Sequence, residues 1–124
     1  MKSDVCLKFP RSRYIRNKKH FGYVFANSKK VDNKYYKFYY SNSLEECGKL
    51  AVVFGRKIGK AVIRNRFRRK IKECFRLNQH KINWKYDYII IAKQPITKIK
   101  CNELYSNILR TLKTQDLVVN INND

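Results

Sequence analysis

The sequence predicts an α+β fold, a single-domain α/β sandwich in which helices pack on one small mixed sheet in the order αββαβα. Three observations lead there. Apolar residues recur at helical spacing near 17–28, 60–78 and 101–112. They alternate or run continuously over 31–40, 49–54 and 87–92. The 124 residues are 44% hydrophobic and 14% aromatic, enough for a core despite the heavy charge, so a disordered basic tail is excluded.

The first helix starts at Asn17, a side chain suited to capping, and repeats Phe21, Val24, Phe25 and Ser28 on one side. Val31 to Tyr40 reads as an aromatic strand with Tyr36, Phe38 and Tyr40 on one face and Tyr35, Lys37 and Tyr39 on the other. The turn-like SNSLEECG then leads to a second strand, Lys49 to Phe54, and so short a connection favours an antiparallel hairpin with the first. GRKIG opens a long helix from about Lys60 to Asn78. Asp87 to Ala92 is nearly all apolar, as a strand inside a sheet is, and Lys93-Gln94-Pro95 ends it. Cys101, Leu104, Tyr105, Ile108 and Leu112 mark the last helix, and Leu117 to Ile121 offers further strand pairing. With 4 Gly and 2 Pro and no repeat or linker, residues 1–124 form one domain with irregular ends at about 1–12 and 117–124.

Charge narrows the function. Lys and Arg number 29 against 9 Asp and Glu, a formal net charge of +20. Such a chain repels itself, and a polyanion both relieves the repulsion and gains entropy by releasing its own counterions, so nucleic acid is the expected partner. The longest apolar run, Tyr88 to Ala92, is far below the roughly 18 residues of a membrane span, and the N-terminal residues lack the apolar stretch of an export signal. A cytoplasmic protein is therefore expected. Cys6, Cys47, Cys74 and Cys101 are too far apart for metal-ligand pairs and read as buried, reduced thiols.

Unlike the scattered lysines, the arginines cluster: Arg56, Arg64, Arg66, Arg68, Arg69 and Arg76 fall in one stretch that carries no acidic residue before Glu73. At about 100° per residue, Ile63, Phe67, Ile71, Cys74, Phe75 and Leu77 lie on one side of the helix. Asn65, Arg68, Arg69, Lys72 and Arg76 share the opposite side. Arg68 with Lys72 and Lys72 with Arg76 set like charges one turn apart, at about 0.2–0.5 kcal/mol each. An ordinary solvated face mixes signs instead. The planar guanidinium also suits phosphate, donating two hydrogen bonds at once.

Read in context, GRKIGKAVIRNRFRRKIKECFR followed by YDYIIIAKQP resembles the signature of the bacterial ribonuclease P protein subunit, and the likeness extends through RNKKHFGYVF and YYKFYY to cover about Arg13 to Lys113. The resemblance implies a small basic protein that joins a large catalytic RNA, promotes removal of the 5′ leader from precursor tRNA and leaves a 5′ phosphate. It implies a left-handed crossover around the central helix, against the usual right-handed rule. It implies that Arg64, Asn65, Arg66, Arg68, Arg69 and Lys72 lie near the catalytic core of the RNA, where Lys72 stands at a place often Arg; Arg56, Lys57, Lys60 and Arg76 complete the expected RNA-binding set. It also implies a leader cleft between the first helix and the sheet, at Phe21, Phe25 and Tyr39; for Phe25, core packing competes with this reading. Val53 and Gly55 stand where small polar residues are common in the family, which weakens the case for side-chain hydrogen bonds to the leader there.

The resemblance assigns cleavage, and the Mg²⁺ it needs, to the RNA subunit and substrate, so no side chain of this chain is expected to be catalytic. Two other functions compete. A protein nuclease would need His20 and His80 as acid and base, yet His20 sits beside Lys18 and Lys19 and no carboxylate is evident to orient either ring. Carboxylates for Mg²⁺ are scattered singly apart from Glu45-Glu46. A ribosomal RNA-binding protein would share the basic α+β domain but would have no effect on precursor tRNA.

Overall fold

In a computed structural model the described residues are 10–119. Asp4, Cys6, Ile121 and Asp124 lie outside them, as do most of the expected irregular ends. A short 3₁₀ turn, Arg11–Arg13, precedes α1 (Lys18–Asn27), β1 (Lys29–Asp32), β2 (Tyr36–Asn42), β3 (Leu50–Val53), α2 (Ala61–Leu77) and β4 (Tyr86–Ala92). A second 3₁₀ turn, Gln94–Lys98, leads to α3 (Cys101–Thr114). The Asn17 side chain caps α1 by accepting the His20 amide at 2.7 Å.

The strand expected over 31–40 is two strands. Asn33 accepts the amides of Tyr35 and Tyr36 at 2.8 and 3.0 Å, a side-chain turn that folds β1 back antiparallel on β2. The hairpin expected between this segment and 49–54 does not form. The strand order is β1-β2-β4-β3, with β4 antiparallel to β2 and parallel to β3. β4 takes the middle because YDYIIIA is apolar on both faces apart from Asp87, as suits a strand paired on both edges and covered by helices on both faces.

The loop from β2 to β3 therefore passes the end of β4, with Ser43 N–H donating to Lys85 O at 2.8 Å and Gly48 N–H to Trp84 O at 2.6 Å. A Cβ on Gly48 would lie 1.8 Å from the Tyr86 carbonyl oxygen, so only glycine lets so short a loop step across a strand.

Helices cover both faces of the sheet. On one, Tyr36, Phe38, Leu50, Tyr88 and Ile90 pack against α2 and α3 through Phe67, Ile71, Phe75, Leu104, Ile108 and Leu112. Each such side chain is worth roughly 1.5–3 kcal/mol when fully buried, so this layer supplies most of the stability. The Tyr36 hydroxyl, within the layer, donates to Asn107 Oδ1 at 2.6 Å and lies 2.9 Å from Thr111 Oγ1. On the other face Tyr39, Ala51 and Ile89 meet Val24 of α1. Two sequence expectations shift here: Leu77 is half-buried, and the pairing expected over 117–121 reduces among the described residues to one antiparallel bridge, Ile82 to Val118.

Candidate nucleic-acid interface

The cationic surface begins where β3 ends. Phe54 and Ile58 are buried and pin a loop whose turn closes through Ile58 N–H to Gly55 O at 3.1 Å, with Gly59 at φ 65°. Arg56, Lys57 and Lys60 are exposed on it. Arg64 donates to Gly59 O at 2.8 Å and Arg56 O at 3.3 Å, so it braces this loop as well as carrying charge. No acidic residue stands in the first turn of α2, which leaves the positive end of the helix open to an anion.

Along α2, Asn65, Arg66 and Arg69 are exposed. Arg68 donates to Asn65 Oδ1 at 2.7 Å and lies 5.4 Å from the centre of the Phe54 ring. The Lys72 ammonium sits 4.8 Å from the centre of the Tyr14 ring. Burial, and then the charge of Arg68, hold Lys72 below the ordinary lysine range. Glu73, the one acid of the helix, is taken by Lys70 at 2.9 Å. Among the described residues the ion pairs use His20, Lys49, Lys70 and Lys93, and none draws on Arg66, Arg68, Arg69 or Lys72. The stripe keeps its charge, which is what phosphate binding needs.

The second feature lies on the opposite face. The chain reaches the sheet at the β3 edge, where Ile15 N–H donates to Leu50 O at 2.9 Å, and leaves α1 for β1 at the far edge, so α1 crosses the strands. Three cross-strand rows lie on that face. Ser41 and Asp87 are buried, as are Tyr39, Ile89 and Ala51, whereas Lys37, Ile91 and Val53 are only half-buried. α1 therefore covers two rows and leaves the third as the floor of a groove.

Phe21 and Phe25 form its wall, with ring centres 6.1 Å apart and planes 12° from parallel. Phe25 lies 4.8 Å from Tyr39 and is 43% exposed, against 8% for Tyr39. Phe25 is thus a groove residue, and Val24 is the core residue of that turn. The three aromatics named from the sequence come together, with Val53 and Ile91 making an apolar floor and open space around Gly55.

Two other expectations, on His20 and on Cys47, are corrected. His20 does have an orienting carboxylate: its Nε2 lies 3.3 Å from Asp87 Oδ2, and Asp87 Oδ1 accepts the Lys49 amide at 2.7 Å. Asp87 is 2% exposed, and the signal for it was a lone acid within an apolar strand. His80 follows α2, which packs on the other face of the sheet, so the two histidines are not brought together as an acid–base pair. Cys47 is exposed, contrary to the expectation of buried thiols, while Cys74 is buried and Cys101 half-buried. Among the described residues, no group of three or more His, Cys, Asp or Glu gathers in a way that suits a metal ion.

A family model described as Ribonuclease P matches residues 9–116. The ribonuclease P protein component of Pelotomaculum thermopropionicum is 33% identical over 104 residues, covering 83% of this chain and 92% of that one. That of Macrococcus caseolyticus is 34% identical over 100 residues, covering 80% and 86%. The solved ribonuclease P protein of Staphylococcus aureus superposes with a TM-score of 0.78 at 25% identity, covering 85% of this chain and 96% of its own. That of Thermotoga maritima gives 0.73 at 25% identity, covering 82% and 96%.

Proposed function

Because this chain belongs to the ribonuclease P protein family, we propose that the α2 stripe and the loop before it dock on the catalytic RNA while the aromatic groove takes the 5′ leader of precursor tRNA. The chain is the protein component of a tRNA-processing endoribonuclease and a partner of its RNA. One observation carries the finer reading: the two surfaces meet, since Val53 ends the groove floor and Arg56 and Lys57 follow on the basic loop. A leader lying across the sheet would leave it beside the surface that holds the RNA.

The stripe supplies guanidinium forks for backbone phosphates, and the groove supplies rings on which bases of any sequence stack, at about 1–3 kcal/mol per base. That tolerance suits a subunit that meets many different leaders. Asn65, tied to Arg68, presents an amide beside two forks for RNA edges or backbone. In this reading the Mg²⁺ ions and the cleavage belong to the RNA and substrate. The donor set here does not fit such a metal, because both surfaces are cationic or aromatic and Asp87 is already engaged by His20 and the Lys49 amide. The cytoplasm is the compartment this reading assigns.

The test is reconstitution with a bacterial ribonuclease P RNA and a 5′-extended precursor tRNA at low Mg²⁺, with each component also assayed alone. Cleavage at the mature 5′ end only when protein and RNA are both present is expected. Cleavage by the protein alone would overturn the assignment of chemistry to the RNA. Binding to ribosomal RNA with no stimulation of processing would overturn the reading as a whole.

A further inference from the structure

We propose that Lys37 and Lys30 form a phosphate track through the groove, holding a single-stranded RNA by its backbone while Phe21, Phe25 and Tyr39 take the bases. The inference rests on the leader reading above and adds to it the side chains that hold the phosphates. Lys37 is the cation of the half-buried floor row, next to Ile91, which in turn pairs with Val53. Lys30 on the edge strand β1 is the register partner of Tyr39, whose ring touches Phe25. Both lysines therefore stand on the groove face of the sheet as diagonal neighbours across β1 and β2, Lys30 opposite Tyr39 and Lys37 opposite Asp32.

The acid nearest to them is already engaged. Asp32, the register partner of Lys37, is bonded by Lys93, whose ammonium also donates to Asn33 O at 2.7 Å. That hydrogen bond first, and then the charges of Lys93, Lys30 and Lys37, hold the Asp32 carboxyl below its ordinary range. Among the described residues neither Lys30 nor Lys37 forms an ion pair, so both ammonium groups stay available. A cationic groove lined with stacking rings is the general solution for binding a single strand without reading its sequence.

Lys37 follows Tyr36, whose side chain belongs to the opposite layer, so replacing Lys37 leaves the main core intact. The track extends a basic path that begins at Arg56 and Lys57, at the other end of the same floor row.

The experiment measures, with the reconstituted holoenzyme, the ratio of affinities for precursor tRNA and mature tRNA as a function of leader length and salt. The variants are Lys30→Gln with Lys37→Gln, Lys37→Arg, and Phe25→Ala, each checked for an unchanged melting temperature. The wild type is expected to gain affinity with leader length and to lose that gain as salt rises. The double Gln variant should lose most of the gain, and the salt slope of the ratio should fall by about 0.7 for each phosphate contact removed. Lys37→Arg should keep it. A double Gln variant with wild-type ratio and slope, alongside a Phe25→Ala variant that loses the gain, overturns the phosphate track alone. No leader-dependent gain in the wild type overturns the track and the leader reading together.

Discussion

Asp87 ties three segments together at the scale of one residue: β4 carries it, α1 reaches it through His20, and the start of β3 through the Lys49 amide. Replacing it with Ala leaves a backbone amide and an imidazole without their acceptor, at about 1–3 kcal/mol for each buried group that finds no water. Asp87→Ala is expected to lower the melting temperature by several degrees, read by circular dichroism. An unchanged melting temperature would show that the tie contributes nothing. The thiols give a second residue-scale contrast. Burial pushes the Cys74 thiol up to about 12, so at pH 8 it stays protonated and shielded, whereas Cys47 is exposed. Brief alkylation at pH 8 followed by peptide mapping should modify Cys47 and spare Cys74 until denaturant is added. Equal labelling of the two would contradict the packing of Cys74 beneath α3, where its thiol faces the Tyr105 carbonyl at 3.8 Å.

At the scale of elements, α2 shows how one helix serves two masters. Its apolar side, led by Phe67, Ile71 and Phe75, is an unbroken part of the core, and periodicity alone located that side. Its cationic side divides by role. Arg64 braces the loop, Arg68 leans on Phe54 and Lys72 on Tyr14, while Arg66 and Arg69 point outward. Replacing Arg68 and Arg69 with Ala should weaken assembly with the catalytic RNA and reduce the salt slope of binding by about 0.7–0.9 per lost phosphate contact. A filter-binding titration over a range of salt reads this directly, and an unchanged slope would remove the stripe from the interface. Helix ends were legible to within two residues because periodicity and, for α1, the Asn17 cap are local. Strand partners were not, because β-pairing is decided by which strand has two faces to bury. β4 outcompetes the nearer neighbour for β2, and Asn33 turns what reads as one strand into two.

The whole molecule carries +20 on 124 residues. Its folded state stores repulsion that counterions or RNA relieve, so its stability is linked to both. Raising salt from about 50 to 300 mM, a range over which screening lengths shorten markedly, should raise the melting temperature of the free protein. The cognate RNA should raise it further, by an amount equivalent to about 2.7 kcal/mol at a hundred times the dissociation constant. A melting temperature that falls with both would mean that charge repulsion is not the limiting term. Among the described residues no helix is long and apolar enough to cross a membrane. The apolar faces of α1, α2 and α3 pack on the sheet and, for α2 and α3, on each other.

The amino-acid sequence by itself determined the α+β class, the helices and their apolar sides, the cationic stripe and, through its long motif, the family. Each of these depends on contacts within a few residues or on side-chain chemistry that needs no neighbour. The tertiary structure decided the rest: that β4 lies between β2 and β3, that Phe25 lines a groove while Val24 fills the core, that His20 meets Asp87, and that Lys37 belongs to the groove floor. These are relations between residues far apart in the chain. The place of β4 follows from its two faces to bury, and the groove and the His20–Asp87 contact follow from the layering of α1 across two of three cross-strand rows, set by where the chain enters and leaves the sheet.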